Sequence, residues 1–207
     1  MKRKRSDENS ARRPSGAAVQ RPELTQTLYR ALFREWARTG YQAISLERVA
    51  VEAGAGKAAI YRRWSSKLAF AQHAIEAVTL ALTQVPPQAT LEADIRAYLM
   101  HLRRGLRHPL IRRILPDLYA EQARGSELST LLGPLAEFRR AQGTAWLQRA
   151  VERGELSPDA DFEFALDLIP SPLYWRMVIR NQRITTAEVS LQAKHLAQAL
   201  KAISAER

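Results

Sequence analysis

The sequence predicts an all-α protein with about nine helices, arranged as a small N-terminal head of three short helices followed by a larger helical body. Two observations predict this fold class. Apolar residues recur every three or four positions through nearly the whole chain, which is the helical period. No stretch alternates apolar and polar residues as a half-buried strand does. With 207 residues and 46% hydrophobic residues, the chain is large enough to bury a core.

The first third of the chain contains the signals for an arm and four helices. Residues 1–22 are polar, basic and interrupted by proline and glycine, so we predict a disordered arm. A helical repeat begins at Leu24 and ends at Thr39–Gly40. The next predicted helices run from Ser45 to Ala53, from Lys57 to Trp64 and from Ser66 to Pro86.

The remaining residues predict five more helices. Junctions are marked by His108–Pro109, Gly125–Ser126 and Pro158–Asp159, where proline or glycine interrupts the helical repeat. The five predicted segments are Leu91–Leu106, Leu110–Leu118, a segment that ends at Gly154, Phe162–Met177 and Val189–Ile203.

The net charge of +11 is concentrated near the N-terminus. Residues 1–22 contain seven Lys/Arg and two Asp/Glu, residues 23–70 contain eight and four, and residues 71–207 contain seventeen and fifteen. A basic N-terminal third on a nearly neutral body is typical of a head that binds a polyanion. A solvated basic surface is the alternative.

Several protein classes are excluded by what the sequence lacks. The absence of cysteine excludes a disulfide framework, a thiolate zinc site and a cysteine nucleophile. No apolar run approaches the roughly 18 residues that a membrane helix needs. The basic stretch Met1–Arg5 is followed by polar residues 6–10, where a signal peptide would be apolar. We therefore expect a soluble cytoplasmic protein without a membrane segment.

Two short helices joined by a tight turn lie inside the basic region, which is the geometry of a helix-turn-helix. Ala50 is small where the two helices would cross, and Gly54 stands four residues later, where the turn requires a positive φ angle. Ile60 follows six residues later as an apolar anchor for the third helix. These three residues at these offsets favour a helix-turn-helix over an ordinary helical hairpin.

The same region resembles the DNA-binding head of tetracycline-repressor (TetR) family regulators. The matching residues are Gly40–Ala50 (GYQAISLERVA), Ala53–Trp64 (AGAGKAAIYRRW) and Ser66–Lys67, with looser similarity at Arg153–Leu156 and Pro172–Arg176. The resemblance implies a helix-turn-helix DNA-binding domain over residues 23–68 and a ligand-binding and dimerisation domain over residues 69–207. It also implies a homodimer that represses transcription and is released from a palindromic operator in double-stranded DNA by a small-molecule ligand.

A helix in the major groove presents its N-terminal residues to the base edges. We therefore expect Lys57 to reach a phosphate or a guanine, and the small side chains of Ala58 and Ala59 to allow close approach. The resemblance implies phosphate contacts for Tyr61 and Lys67. The complete predicted DNA-binding set is Ser45, Gly56, Lys57, Ala58, Ala59, Tyr61, Arg62, Arg63 and Lys67.

One departure from the family pattern affects this set. Ala55–Gly56 stand where family members usually have an aliphatic residue and a serine or threonine. Gly56 can still begin a helix, but it has no side-chain oxygen for a phosphate contact or a cap. Trp64, in contrast, is expected to pack inside the head.

Two further groups of basic residues have open roles. The arm carries Lys2, Arg3, Lys4, Arg5, Arg12 and Arg13, which either enter an adjacent minor groove or form a loosely solvated tail. The body carries Arg96, Arg103, Arg104, Arg107, Arg112 and Arg113. This run could face DNA or an acidic ligand, and a solvated surface is the default interpretation.

A ligand site in the body would be an apolar pocket with a few polar groups. Aromatic residues recur on the body helices, and most of them are expected to be core. The candidate ligand-binding residues are Tyr98, His101, Tyr119, Phe138, Gln142 and Trp146. For each residue, a packing or surface role is the alternative.

The last two helices are the predicted dimer surface, because two apolar helices from each subunit can form a four-helix bundle. The candidate residues are Leu173, Trp175, Met177, Leu196 and Leu200. Some of them must face the subunit's own core. Pro170 and Pro172 are expected either to bend the first of these helices or to restart it.

Alternative functions have weaker support in the sequence. The four histidines form no metal motif, and Val51 and Ala58 replace residues that a phosphate-binding loop requires. No Gly-x-Ser-x-Gly segment is present. We therefore expect no enzymatic activity, no cofactor and no metal. A non-specific DNA-binding protein would not need the large apolar body, whereas an activator with the same head stays possible.

Overall fold

The computed structural model describes residues 22–83 and 85–205, and within these ranges it contains helices and no strand. The α-helices are α1 (Pro22–Thr39), α2 (Leu46–Glu52), α3 (Lys57–Tyr61), α4 (Lys67–Thr83), α5 (Leu91–Arg107), α6 (Pro109–Ala123), α7 (Leu132–Glu152), α8 (Phe162–Leu168), α9 (Ser171–Tyr174) and α10 (Thr186–Ala205). A 3₁₀ turn (Glu127–Leu131) precedes α7, and a π-helical segment (Trp175–Ile179) follows α9. The all-α prediction is confirmed. The predicted arm lies outside the described residues except for Pro22, which begins α1.

The head consists of α1, α2, α3 and the first turns of α4 around one apolar cluster. Leu28, Leu32 and Trp36 of α1 are buried in this cluster, as their helical spacing predicts. Val49 of α2 and Ile60 of α3 are both 0% exposed. The two short helices are thereby held against one side of α1.

Aromatic stacking joins the head to the start of α4. The rings of Trp64 and Phe70 are stacked with their centroids 4.1 Å apart, and Tyr29 packs 5.6 Å from Trp64. Trp64 is buried, so its predicted core role is confirmed. Because α4 continues into the body, this stacking also sets the position of the body's first helix against the head.

The body has a separate core in which α5 and α10 lie side by side. Leu91, Ile95 and Leu99 of α5 and Val189 and Ala193 of α10 are all 0% exposed. Burial of these aliphatic side chains is the main stabilising contribution to the body. The remaining body helices pack around this pair.

Helix α6 connects the two cores. Its residues Ile114 and Leu118 belong to the head cluster, and Leu115 packs against both clusters. Helix α6 is therefore packed against the head and the body at once.

Buried carboxylates join the N-terminus of α5 to the residues that follow α7. Asp94 accepts a hydrogen bond from the Gln88 amide at 2.9 Å and pairs with Arg153 at 3.1 Å. Glu155 accepts from the Leu91 amide at 2.9 Å. Burial of Glu155 opposes ionisation, but hydrogen bonds from Lys201, Arg153 and the Leu91 amide prevail and lower its pKa. Arg153 and Glu155, the charged residues that follow the end of α7, both belong to this cluster.

The predicted helix from Phe162 to Met177 is divided in the structure. It ends at Leu168, and α9 begins at Ser171 with Pro172 in its first turn, where a missing amide hydrogen costs nothing. Of the two expected effects of the prolines, the restart is therefore observed. No helix in the described ranges is both long and apolar enough to cross a membrane.

Candidate nucleic-acid interface

The turn between α2 and α3 sets the position of α3. Ser45 is the N-cap of α2, and its hydroxyl oxygen accepts from the Arg48 amide at 3.3 Å. After α2, the Ala55 amide donates to the Ala50 carbonyl at 2.8 Å, and Gly54 takes a φ angle of +65°. Glycine adopts this left-handed angle without strain. The turn therefore has the tight geometry that the spacing of Ala50 and Gly54 predicts.

The outward face of α3 carries two cations and a phenol. Lys57, Ala58 and Arg62 are exposed, and the Tyr61 side chain is 49% exposed. The helical period places these four residues within about 140° of one another around the helix axis. The exposed Gly56 begins the helix without a side-chain cap. The result is an accessible basic face with a small residue between its longer side chains.

Two residues of the predicted DNA-binding set lie on the other side of α3. Ala59 is buried beside Ile60, so its methyl group is not available to a base. Arg63 is half-buried, and its Nη1 donates to the Ala59 carbonyl at 2.8 Å. Their positions follow from the helical period, which turns residues 59, 60 and 63 toward the head. The prediction for Ala59 is therefore corrected, whereas a DNA contact by Arg63 stays a prediction.

Lys57 forms an ion pair with Glu47 of α2 across the turn. The hydrogen bond to Glu47 raises the pKa of Lys57 and lowers that of the carboxyl group. Lys57 also lies 5.6 Å from the centre of the Tyr61 ring. Both charged groups are accessible, so a phosphate approaching α3 would compete with Glu47 for the ammonium group.

Lys67 has protein partners in this structure. Its Nζ donates to the Tyr41 carbonyl at 3.2 Å and to the Gln42 carbonyl at 3.4 Å, and it lies 4.3 Å from the centre of the Tyr41 ring. An ammonium group has three donors. Lys67 therefore holds the α1–α2 corner (residues 40–45) against the start of α4 and retains a donor for a phosphate.

A buried carboxylate that the sequence reasoning missed positions α2. Glu35 of α1 accepts from Arg48 Nε at 2.8 Å and from the Ser45 amide at 3.2 Å, and it also pairs with Arg38. Burial opposes ionisation of Glu35, but the hydrogen bonds from Arg48, Ser45 and Arg38 prevail and lower its pKa. A charged residue beside Trp36, on the apolar face of α1, is the sequence signal that could have identified it.

The body holds the α1–α2 corner with carboxylates. Asp117 of α6 accepts from Trp36 Nε1 at 2.7 Å and from the Tyr41 amide at 2.8 Å. The Tyr41 hydroxyl donates to Glu127 at 2.8 Å, and Gln42 donates to Glu121. The sequence reasoning missed these contacts, which join residues roughly 80 positions apart. They connect the head to α6 and to the 3₁₀ turn.

The predicted ligand-binding residues do not form one site. Tyr98 packs 6.3 Å from buried Trp146, and Tyr119 lies edge-on to Tyr174 at the same separation of ring centres. His101 Nδ1 lies 2.9 Å from the Ala97 carbonyl of its own helix. Gln142 is exposed on α7.

Of the predicted ligand residues, only Phe138 lines the large cavity. This cavity has a volume of about 550 Å³ and lies between α4, the 3₁₀ turn and the start of α7. Its apolar lining includes Ile75, Leu131 and Phe138, and its polar lining includes His73 and Glu76. Tyr98 and Trp146 pack against one another with their rings tilted, which is the packing role that the sequence left as the alternative for each of them.

The predicted dimer residues divide between core and surface. Leu173, Met177, Leu196 and Leu200 are buried in the subunit's own core, so their assignment to the interface is corrected. Trp175 is 57% exposed, as an interface residue of a free subunit would be. Two residues that the sequence reasoning missed are equally accessible, namely Ile179 at 56% and Leu191 at 54%.

The chain is similar in sequence to known regulatory proteins along most of its length. The family described as "Bacterial regulatory proteins, tetR family" matches residues 28–74, and "Tetracyclin repressor-like, C-terminal domain" matches residues 85–195. An uncharacterised HTH-type transcriptional regulator of Mycobacterium bovis is 32% identical over 181 residues, which cover 83% of this chain and 84% of that protein. The DNA-binding transcriptional repressor TetR of Mycobacteroides abscessus is 32% identical over 144 residues, which cover 69% and 75%.

The fold is also found among solved structures. Salmonella enterica GusR matches with a TM-score of 0.68 at 17% sequence identity, over 90% of this chain and 98% of that chain. The similarity covers the head and the body together.

Proposed function

Since this chain belongs to the tetracycline-repressor family and is a DNA-binding transcriptional regulator, we propose that it represses transcription from a palindromic operator as a homodimer, until a small molecule bound in the body releases it. The observation that carries the proposal is the exposed basic face of α3. A relative that is 32% identical is named a DNA-binding transcriptional repressor, which supports repression over activation. The site of action would be the cytoplasm, where bacterial DNA lies.

On DNA, each residue of the α3 face has a distinct role. Lys57 at the helix N-terminus contacts a phosphate or guanine O6/N7, and Ala58 permits close approach and can touch a thymine methyl group. Tyr61 and Arg62, one turn later, contact phosphate oxygens. Ser45 and Lys67, at the N-termini of α2 and α4, contact further phosphates of the DNA backbone.

The dimer forms through the exposed apolar residues of the π-helical segment and α10. Trp175, Ile179 and Leu191 are all more than half exposed in a single subunit, and isologous pairing of this surface with a second copy would bury it. Two heads then contact half-sites about 34–36 Å apart, one turn of DNA. In this arrangement residues 23–68 bind DNA, and residues 69–207 dimerise and bind the ligand.

The ligand site is the cavity beside α4. Its volume of about 550 Å³ lies within the range of small-molecule pockets, roughly 300–1,000 Å³. Phe70 and Ala74, from the first turns of α4, belong to the head core. A ligand that separates α4 from α7 therefore moves the helix that joins the head. Release requires that the ligand bind the displaced form more tightly than the DNA-bound form.

Selection of bound sequences from random duplex DNA tests the proposed function. We expect the wild-type chain to select inverted repeats with half-site centres about 10 base pairs apart. Leu191→Glu places a charge in the proposed interface and should give a monomer that selects single half-sites with at least tenfold lower affinity. Lys194→Glu, an exposed neighbour on α10, is the control for charge. Direct repeats, or a dimeric Leu191→Glu variant, would contradict the proposal.

Filling the cavity should impair release by ligand. Ala77 of α4 lines the cavity, and in Ala77→Trp the indole would occupy much of it. Compounds that release the wild-type protein from its selected operator should need at least tenfold higher concentrations with this variant, as measured by fluorescence anisotropy of labelled DNA. Ala145→Trp, at an exposed position of α7 outside the lining, should respond like wild type. Equal release of all three proteins would place the ligand elsewhere.

A further inference from the structure

The body has a run of basic residues without acidic neighbours in sequence. Residues 95–116 and 177–187 contain no Asp, Glu or Lys. The arginines that lie in the C-terminal part of the first segment and in the second, called here the arginine patch, are Arg103, Arg104, Arg107, Arg112, Arg113, Arg180 and Arg183. Two segments about 70 residues apart thus have the same unusual composition.

The structure brings these two segments together. Nε of Arg103, on α5, donates to the Ile184 carbonyl at 2.5 Å. Arg112, in the first turn of α6, bonds to the side chain of Asn181. The turn that carries Arg180 and Arg183 is therefore fastened to the α5–α6 junction, which carries the other five arginines.

Most of these guanidinium groups have no partner among the residues that the structure describes. Arg104, Arg107, Arg113, Arg180 and Arg183 are exposed, and within the part of the chain that the structure describes their side chains form no ion pair or hydrogen bond. Arg103 and Arg112 bond only to neutral groups. Within the described residues, none of the seven positive charges of the patch is paired with a carboxylate.

Five of the seven other body arginines in the described residues form an ion pair with a carboxylate, namely Arg124, Arg140, Arg149, Arg153 and Arg176, whereas Arg96 and Arg139 do not. Arg140 contacts both Glu163 and Asp167, and Arg176 pairs with Glu188 at 2.8 Å. A surface arginine of this body is thus usually neutralised by a nearby carboxylate. In the patch, mutual repulsion of the arginines is tolerated, and an external anion would relieve it.

The patch lies beside the head. The apolar side of α6 packs into the head cluster through Ile114 and Leu118. Arg113 precedes Asp117 by four residues, about 6 Å along the helix axis, and Asp117 binds Trp36 and the Tyr41 amide of the head. The patch is therefore carried by the same helix that holds the α1–α2 corner.

We propose that the arginine patch is a second DNA-binding surface, which contacts backbone phosphates outside the bases that α3 reads. Arginine suits this role because its planar guanidinium group can bind two phosphate oxygens at once and stays charged at any physiological pH. The groups are exposed and spread over two helices and a turn, as phosphates are spread along a duplex. A single small anion is instead held by a few converging, enclosed donors.

This inference adds a body contact to the DNA binding that the family membership establishes, and it does not depend on a palindrome or a ligand. The patch contributes affinity without sequence preference, because phosphate contacts carry no base information. It therefore acts equally on operator and non-operator DNA.

The test compares Arg107→Gln/Arg113→Gln with the matched control Arg96→Gln/Arg139→Gln, which removes the same charge from exposed body arginines outside the patch. The probe is a labelled duplex of about 30 base pairs of random sequence, titrated across a range of salt concentrations. We expect the patch variant to bind about tenfold more weakly near 0.1 M salt, with a slope of log K against log salt smaller by about 2 for a monomer or about 4 for a dimer. The control should stay close to wild type.

Several outcomes would overturn the proposal. A patch variant with the affinity and salt slope of the control would show that the body does not contact DNA. Normal DNA binding, together with loss of the thermal stabilisation that inorganic phosphate gives the wild-type protein, would assign the patch to a small anion. Circular dichroism verifies that both variants fold. Lys57→Ala, measured on the same duplex, tests the α3 face separately, so failure of either proposal can be distinguished from failure of the other.

Discussion

Replacing Lys57 with alanine is expected to lower operator affinity by at least about thirtyfold without changing the mass of the dimer. Each lost phosphate or base contact costs about 1–3 kcal/mol, and a dimer loses two such contacts. Lys57 is exposed at the N-terminus of α3, where a helix in the major groove approaches the DNA most closely. Fluorescence anisotropy with the selected operator measures the affinity, and light scattering measures the mass.

Glu47 provides the matched control for Lys57, because the two side chains form one ion pair. If Lys57 acted only by holding α2 against α3, Glu47→Ala would weaken operator binding equally. If Lys57 contacts DNA, Glu47→Ala should bind as well as wild type or better, since it removes a competing anion from the α3 face. Equal losses in the two variants would mean that Lys57 has a structural role.

The head could be predicted in detail because its determinants are local. Ala50, Gly54 and Ile60 lie within eleven positions of one another, and a tight turn between two short helices requires their residue types. The exposed face of α3 then follows from the helical period. The same period explains the error at Ala59, which was chosen for its size without regard to the side of the helix on which it lies.

The body was harder to predict because several of its helices are apolar on more than one side. Leu196 and Leu200 lie on the apolar repeat of α10 that we assigned to the dimer surface, yet they face the subunit's own core, and Leu191, outside that repeat, faces outward. A repeat of apolar residues identifies a helix, but it does not determine whether each face packs against the subunit's own core or against a second subunit. Aromatic residues raised the same difficulty, since Tyr98 and Trp146 pack against one another with tilted rings and neither lines the cavity beside α4.

Contacts between head and body depend on pairs far apart in sequence. Asp117 and Trp36 are separated by 81 positions, and no local pattern links them. Pro116, inside α6, is the unusual residue nearest to Asp117 in the sequence. A proline there does not indicate that the next residue bonds to the head. Only the packing of α6 across α1 brings these residues together.

Replacing Asp117 with alanine is expected to destabilise the protein by about 2–4 kcal/mol, because Trp36 Nε1 and the Tyr41 amide would both lose their acceptor at a largely buried contact. Trp36 and Tyr41 are 1% and 0% exposed, so water cannot easily replace the carboxylate. Denaturant unfolding followed by tryptophan fluorescence measures this loss. Asp167→Ala, which removes an exposed carboxylate paired with Arg140, should cost less than about 1 kcal/mol.

The same substitution should also weaken communication between body and head. Asp117 joins α6 to the corner at Gly40, which has a φ angle of +77° and where an added Cβ would lie only 3.3 Å from the Asp117 carboxylate. Without this contact, a ligand that displaces the body would move the head less. Compounds that release wild-type protein should therefore release Asp117→Ala less completely, even after its lower operator affinity is matched by adjusting the salt concentration. Complete release of the variant would mean that α4 alone, through Phe70 and Trp64, couples the head to the body.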